Sequence, residues 1–282
     1  MLKVICGLHN HDLTETLVGH LYAGRLRPDE HVLVVDMRKS LVKPSNILLT
    51  LKENNKNNVT TIKQLYNARY TYKRSVRGSR TELQQLMMLL ERDQYIQWSR
   101  CYQDSKVVSD VFWTHPDSVK LLNAFSIILL MDSTYKTNKY RLHLLEIVGV
   151  ISTGLSFSAA FVLLSTEREN NFIWSLQRLK GLFFREDVYP QVIVSNRDLA
   201  LINAISVVFP EATNIPCRFH INKNVKAKRK MYVDSKEAWD IVLNAWRGVM
   251  DCHNCDAYDE VVKGFESVCS SWPLFVDYVN KT

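Results

Sequence analysis

The chain has 282 residues, of which 46% are hydrophobic and 23% are charged, and this is the composition of a globular protein that buries a large core. The net charge is +7, and six cysteines are too few for a disulfide scaffold. No stretch approaches the roughly 20 apolar residues of a membrane helix, and the first residues turn polar too soon for a signal peptide. We therefore expect neither a fibrous, a disulfide-stapled, a membrane-spanning nor a secreted protein.

Basic residues are concentrated in two segments. Residues 41–80 have a local charge of +8, residues 218–230 have +6, and the rest of the chain sums to −7. Clustered Lys and Arg suit a polyanion such as nucleic acid, although two solvated helix faces explain the charges about equally well. The candidate nucleic-acid-binding residues are Lys63, Arg69, Lys73, Arg74, Arg77 and Arg80 in the first segment, and Lys226, Lys228, Arg229 and Lys230 in the second.

The first 120 residues predict mainly helices. Pro44 is suited to open a helix, the Asn-rich tract 54–58 breaks it, and Thr60 or Thr61 caps a second, basic helix. Two short helices around a polar turn are typical of a helix-turn-helix, but any pair of packed helices has the same pattern. Another helix begins at Thr81.

From residue 125 the hydrophobic pattern changes to period two. Three strands joined as hairpins are followed by two strands that are reached through helices at 167–181 and 199–209. After His220 the pattern is helical. We therefore predict an α/β fold with a mixed five-stranded sheet flanked by helices. The strand candidates are Phe125–Met131, His143–Ile151, Phe157–Leu164, Gln191–Val194 and Asn214–Cys217.

Acidic residues follow two of these strands. The first strand ends at Asp132, and the fourth ends in Ser195-Asn196-Arg197-Asp198. Carboxylates that converge from neighbouring strand ends hold two Mg²⁺ ions about 4 Å apart in phosphodiester chemistry. An Asp before Ser-Thr is also common in turns, and taken alone this structural interpretation is favoured roughly two to one.

Four motifs in order resemble the core of Mutator-like transposases, and with the basic segment before them the resemblance covers about residues 60–230. The plant branch that includes the far-red-impaired-response transcription factors is similar in this basic segment as well. The motifs are MDSTYKTN at 131–138, QVIVSNRDLALINAI at 191–205, VFPE at 208–211 and CRFHINKNV at 217–225.

The resemblance implies an ancestral reaction, Mg²⁺-dependent DNA strand cleavage and transfer. It also implies DNA as partner, a nuclear location, a possible homo-oligomer, and neither a membrane nor a small-molecule substrate.

The resemblance also divides the chain into four regions. Residues 1–24 are similar to the tail of a WRKY-like zinc finger whose last two ligands fall on His9 and His11. Its two cysteines would precede Met1, so we expect Zn²⁺ only in a longer chain. The other regions are a basic helical linker at 25–120, a ribonuclease-H-like core at 121–220 and a partial all-helical insertion at 221–282.

Carried over residue by residue, the first acid of the family falls on Asp132 and the second on Asn196. An amide brings no negative charge to Mg²⁺. Asp198 is a candidate substitute, but it is expected in the first turn of a helix. The third acid of the family, a Glu, falls beyond Thr282, so the chain is expected to be a fragment without catalytic activity. The alternatives are a domesticated DNA-binding transcriptional regulator of the far-red-impaired-response type and an unexpressed relic.

Two cysteine motifs remain. Cys217 and His220 match the Cys/His motif of the family, and because no further ligands are evident nearby, a structural or site-lining role is favoured over metal binding. Cys252 and Cys255 have zinc-like spacing without a partner pair, so we interpret them as incidental.

Overall fold

The computed structural model describes residue 17 and residues 22–103, 105–233 and 235–281, without the side chains of Arg229 and Lys230. His9 and His11, the predicted zinc ligands, lie outside the described residues. The chain divides into two compact units, one up to Leu89 and one from Leu90.

The first unit is built on three helices that share a small core. They are α1 (Pro28–Lys39), α2 (Pro44–Asn54) and α3 (Ile62–Arg77), and α4 (Glu82–Arg92) begins after them. The predicted starts at Pro44 and Thr61 are confirmed. Thr61 and Gln64 form a capping box, in which each side chain accepts a hydrogen bond from the backbone of the other. The core consists of Val34, Ile47, Leu51 and Leu65, all nearly inaccessible to solvent.

The second unit contains a seven-stranded mixed sheet with the strand order β1-β2-β5-β4-β3-β6-β7. Its strands are β1 (Ile96–Cys101), β2 (Val108–Thr114), β3 (Ile128–Thr134), β4 (His143–Val150), β5 (Ser156–Leu164), β6 (Val192–Ser195) and β7 (Thr213–Pro216). Strands β6 and β7 run parallel to β3, whereas β4 is antiparallel to both of its neighbours. The order β5-β4-β3-β6-β7 with this pattern of directions is ribonuclease-H-like, so all five predicted strands and their arrangement are confirmed.

Two strands were not predicted. Helices were expected over 25–120, but β1 and β2 form a hairpin that extends the sheet beyond β5. The helical prediction fails because charged residues sit inside both strands. Arg100 and Asp110 are cross-strand partners, and the Arg100 Nε lies 2.7 Å from an Asp110 carboxylate oxygen. In the sequence alone, each of these two charged residues is more typical of a loop than of a strand, because the ion pair that neutralises it is formed only in the folded sheet.

Three helices pack on one face of the sheet. They are α5 (Pro116–Ala124), α6 (Glu169–Lys180) and α7 (Leu199–Val208), and the last two match predicted helices. The core between these helices and the strands includes Leu129, Met131, Leu145, Ile147, Phe172, Leu176 and Ile205. Because side chains alternate along a strand, the residues between these core positions, Asp132 among them, project to the opposite face.

The remaining elements are α8 (Arg218–Ala227), the short α9 (Arg229–Tyr232), α10 (Lys236–Met250), α11 (Cys255–Val268) and α12 (Pro273–Asn280). This confirms the predicted helical character beyond the fifth strand. Trp239 and Trp246 are each 5% exposed, and Trp272 packs against the same cluster, so the tryptophans fill the core of this helical region. Within the described part of the chain, no helix has the length and hydropathy required to cross a membrane.

Candidate functional site

The ends of β3 and β6 lie side by side. Met131 pairs with Ser195 in the parallel ladder, so Asp132 and Asn196 follow at the same level on neighbouring strands. This confirms the prediction that residues 132 and 196 converge. The buried Asn196 Oδ1 accepts no hydrogen bond within the described residues. An amide therefore stands beside Asp132 where the family resemblance predicts a carboxylate.

A second acid does face Asp132, but it comes from β4. Glu146 is the direct cross-strand partner of Asp132, so their side chains share a face of the sheet with Cβ atoms about 4.5–5.5 Å apart. The Ser158 hydroxyl on β5 donates a 3.0 Å hydrogen bond to Glu146. The sequence analysis did not identify Glu146, because only the register of β3 against β4 brings it next to Asp132.

The Cys/His motif reaches the same place from α8. Cys217 is the N-cap of α8, and its backbone N–H donates a 2.8 Å hydrogen bond to the Ser195 carbonyl at the end of β6. One helical turn later, the His220 Nε2 lies 3.5 Å from the Asp132 Oδ1. The His220 Nδ1 is buried and has no hydrogen-bond partner among the described residues. The motif therefore lines the site, as the sequence analysis favoured.

Asp198 has a different role. It is the N-cap of α7, and its Oδ1 accepts a 2.9 Å hydrogen bond from the Leu201 backbone N–H. A cap of this kind stabilises a helix by about 1 kcal/mol. The expected place of Asp198 at the start of the helix is confirmed, and one of its two carboxylate oxygens is used by the capping bond.

The donor set does not fit a pair of Mg²⁺ ions. Asp132 and Glu146 supply two carboxylates, Asn196 supplies none, and within the described residues no group of three or more His, Cys, Asp and Glu side chains has an arrangement that could hold a metal ion. Two dications held close together require more negative charge than this. The same finding applies to Cys252 and Cys255, which form no metal-binding group in the described part of the chain.

Five of the six predicted nucleic-acid-binding residues of segment 41–80 lie on α3. Lys63, Tyr66, Tyr70, Lys73 and Arg74 are all exposed and, at 100° per residue, fall within one side of this helix. Leu65, on the other side, is fully buried against the core. Tyr66 is 54% exposed and Tyr70 is 65% exposed. The solvent side of α3 therefore combines positive charge with two aromatic rings.

The other predicted contact residues are more constrained. Arg77 forms an ion pair with Glu82, Arg80 donates hydrogen bonds to the Val76 carbonyl and to Gln85, and Arg69 is half-buried. On α8, Lys226 is exposed, whereas the Lys228 Nζ lies 5.6 Å from the centre of the Tyr278 ring. The side chains of Arg229 and Lys230 lie outside the description.

A buried carboxylate holds the edge of the sheet against α6. Asp110 is 1% exposed and accepts hydrogen bonds from Arg100, the Ser109 hydroxyl, the Ser165 backbone N–H and the Asn171 amide. Burial alone would raise the pKa of Asp110, but these hydrogen bonds, led by that from Ser165, outweigh burial and lower the pKa below its usual value. Asp110 is therefore a structural carboxylate.

Comparisons with known proteins agree with this geometry. Residues 128–224, which include Asp132, Glu146, Asn196 and His220, match the family description "MULE transposase domain". The Arabidopsis thaliana protein FAR1-RELATED SEQUENCE 5 is 27% identical over 58% of this chain and 19% of its own length. The putative protein FAR1-RELATED SEQUENCE 10 of the same plant is 27% identical over 47% of this chain and 19% of its own length.

Within the second unit, residues 128–224 are therefore similar to the MULE transposase domain, and they lie on a ribonuclease-H-like sheet. The chain is thus a protein related to Mutator-like transposases and to the FAR1-related sequences. The matched segments span only about a fifth of these plant relatives.

Two further similarities are to proteins of other descriptions. A PKS-NRPS hybrid synthetase, cheA of Chaetomium globosum, is 29% identical over 48% of this chain but over only 3% of its own length. The crystal structure of the Mos1 strand transfer complex aligns with 88% of this chain and 96% of that chain, with a TM-score of 0.22 and 11% identity. The fold assignment rests on strand order and direction, since a TM-score this low does not establish a shared fold.

Proposed function

We propose that the chain is a transposase-derived DNA-binding protein in which strand cleavage has been lost. The observation that carries the proposal is the pairing of Asp132 with Asn196 at the neighbouring ends of β3 and β6. An amide leaves the site one formal charge short of the pair of acids that two-metal cleavage uses. Glu146 does not replace it, because it faces Asp132 from the other side of β3.

DNA binding is supported by α3. Its solvent side carries Lys63, Lys73 and Arg74 without an acidic residue anywhere in the helix. Basic side chains in such an array contact successive phosphates and release condensed counterions. Phosphate contacts position a protein without reading sequence, so the binding is largely sequence-independent and sensitive to salt. DNA as the partner supports a nuclear location.

A salt titration tests this proposal. We expect the purified chain to bind duplex DNA with an affinity that falls steeply between 50 and 200 mM salt, as phosphate-dominated binding does. A variant with Lys63→Ala, Lys73→Ala and Arg74→Ala should bind more weakly, and the slope of log K against log salt should become shallower by about 2 to 3, since each lost phosphate contact removes about 1.

The matched control removes three charges that are already neutralised. Lys120, Arg185 and Lys281 have side chains that are 73%, 72% and 72% exposed, and each forms an ion pair with a nearby Asp. Their replacement by Ala lowers the net charge equally and should change the salt slope little. Equal slopes for the α3 variant and this control would refute DNA binding through α3.

Loss of cleavage is tested with the same protein. With Mg²⁺ and supercoiled or linear DNA, the purified chain should nick no faster than a no-protein sample. Nicking that depends on Mg²⁺ and disappears in Asp132→Ala would show that the site is active despite Asn196.

Asn196 also favours a second candidate function, a domesticated transcriptional regulator that retains the fold for binding. The two functions share DNA binding and differ in sequence preference. Selection of bound DNA from a random pool separates them, because a regulator enriches a common site and a sequence-independent binder does not.

A further inference from the structure

A positively charged loop lies next to the candidate site. It connects β3 to β4, covers residues 135–142, and contains Lys136, Lys139 and Arg141 but no acidic residue. All three basic side chains are exposed. Asp132 lies on β3 two residues before the strand ends, so the loop begins about 10 Å from this carboxylate along the strand.

One side chain organises this loop. The Asn138 Nδ2 donates to the Leu142 carbonyl at 2.7 Å, and its Oδ1 accepts from the backbone N–H groups of Tyr140 and Leu142, each at 3.1 Å. The Asn138 backbone carbonyl accepts from the Arg141 N–H at 3.2 Å. These bonds close residues 138–142 into a turn that carries Lys139 and Arg141, and Lys136 lies two residues before this turn.

The backbone of the loop is strained at two of its basic residues. Lys136 has a φ of 65° and Arg141 has a φ of 56°, in the left-handed region that residues other than glycine rarely adopt. The described residues contain four positive-φ residues other than glycine, and two of them are in this loop. Left-handed backbone of this kind is energetically unfavourable for residues other than glycine and is frequent at ligand-binding sites.

Aromatic rings accompany the charges. Tyr135 is 48% exposed and stacks on His143 with ring centres 4.8 Å apart. Tyr140 is 40% exposed. The Lys136 and Lys139 ammonium groups lie 5.5 and 5.1 Å from the centres of the Tyr135 and Tyr140 rings. Positive groups beside exposed rings are the surface chemistry that binds the backbone and bases of a nucleic acid.

We propose that the β3–β4 loop binds a nucleic-acid strand beside Asp132, with Lys136, Lys139 and Arg141 contacting its phosphates. The proposal rests on DNA binding by the chain and adds a second contact surface, in the unit that contains the MULE domain. An acidic protein would satisfy the charges equally well but would make no use of the exposed Tyr rings. The exposed Tyr rings and the position of the loop beside the ends of β3 and β6 therefore both favour nucleic acid as the occupant.

The test measures binding of the full chain to duplex and single-stranded DNA at several salt concentrations. Replacing Lys136, Lys139 and Arg141 by Ala should weaken binding at 0.1 M salt by at least about tenfold, and the salt slope should become shallower by about 2 to 3. The control is the triple variant of Lys120, Arg185 and Lys281, which removes the same charge at ion-paired positions.

A second variant separates loop shape from charge. Asn138→Ala leaves the net charge unchanged but removes the side-chain bonds that hold the loop. We expect this variant to bind DNA several-fold more weakly while its thermal unfolding shows that the sheet remains folded. This effect would not arise if only the overall charge of the protein mattered.

The outcomes are distinguishable from those for α3. If the loop triple variant binds DNA like its ion-paired control, the loop proposal is wrong even when the α3 variant confirms DNA binding. If the loop variant loses affinity and the α3 variant does not, the loop proposal stands and binding through α3 fails. If the unmodified chain binds no DNA at low salt, both proposals are overturned.

Discussion

At the residue scale, position 196 governs the electrostatics of the strand ends. Asp132 and Glu146 already place two carboxylates on one face, and Asn196 adds an uncharged neighbour whose Oδ1 accepts no hydrogen bond within the described residues. An uncharged side chain avoids the repulsion that a third carboxylate would add. Asn196 stands where the family resemblance predicts an acidic metal ligand, and compared with an Asp it therefore lowers the repulsion at the strand ends of the metal-free protein.

Asn196→Asp tests this view. Without Mg²⁺, the variant should be about 0.5–1 kcal/mol less stable than the unmodified chain, because like charges on neighbouring strands repel. Millimolar Mg²⁺ should raise its thermal midpoint and leave that of the unmodified chain unchanged, since only a ligand of the folded state stabilises it. Asn244→Asp, an exposed change on α10, is the charge-matched control. Identical responses of both variants to Mg²⁺ would contradict the prediction.

Asp110→Asn tests the buried network at the edge of the sheet. Loss of the carboxylate leaves Arg100 and several donors without a charged acceptor, so the variant should lose about 2–3 kcal/mol in urea unfolding. Because the pKa of Asp110 is lowered in the folded state, its contribution is fully present above the unfolded value near 4 and disappears as pH falls through the folded pKa. The difference in stability between the variant and the unmodified chain should therefore narrow in acid. A constant difference down to pH 2 would argue against this role.

Single residues also show which parts of the site can be predicted from the sequence and which cannot. Asp132, Asn196 and His220 were found because the motifs around them are local in sequence. Glu146 was missed because it reads as an ordinary polar residue of a half-buried strand, and only the cross-strand register makes it a neighbour of Asp132.

At the element scale, the strands that were predicted are those with hydrophobic alternation and clear turns. The hairpins β3–β4 and β4–β5 have polar or glycine-containing connections, and the two parallel strands follow amphipathic helices. In β1 and β2 the alternation is present in Ile96 and Trp98, but Arg100 and Asp110 interrupt it. Because Arg100 and the buried Asp110 form an ion pair across β1 and β2, neither strand is recognisable when each segment of the sequence is considered separately.

The pairing of β4 with β5 depends on one glycine. A Cβ atom on Gly149 would lie 2.3 Å from the Phe157 Cζ on the facing strand. Gly149→Ala should therefore destabilise the protein by about 1–3 kcal/mol, as overpacking does. In a Phe157→Leu background the same change should cost much less, because the ring that it meets is absent.

Gly264→Ala on α11 is the control for this double-mutant cycle. An added Cβ there meets no atom within 4 Å, and Ala is the better helix former by about 1 kcal/mol. We expect this variant to be at least as stable as the unmodified chain in urea unfolding. If the losses in stability caused by Gly149→Ala and Phe157→Leu are additive, the two side chains do not meet, and the register of β4 against β5 at this point is wrong.

At the scale of the whole molecule, the chain has two units with separate cores. Leu65 belongs to the small core of the first unit and Leu145 to the sheet core of the second, and both are fully buried. Charge is divided as well, since the +8 segment 41–80 lies entirely within the first unit. The core was predicted to begin at residue 121, whereas the contacts of the folded chain put the boundary between the two units near residue 89.

Separate cores predict separate unfolding transitions. Leu65→Ala and Leu145→Ala each create a cavity that should cost about 2–5 kcal/mol. Leu65→Ala should shift only the transition of the first unit in calorimetry and in urea, and Leu145→Ala only that of the second. A single transition that both variants shift equally would show that the units unfold as one.

The seven-stranded sheet also bears on how this protein resists aggregation. Its outermost strands are β1 and β7. The register of β1 slips between Arg100 and Cys101, and β7 ends in Pro216, which has no backbone N–H to offer to a further strand. Both features discourage a second sheet from docking edge to edge. The proposed binding to DNA would bring many copies close together, and outer strands that do not template new strands would keep such crowded copies from assembling into fibres.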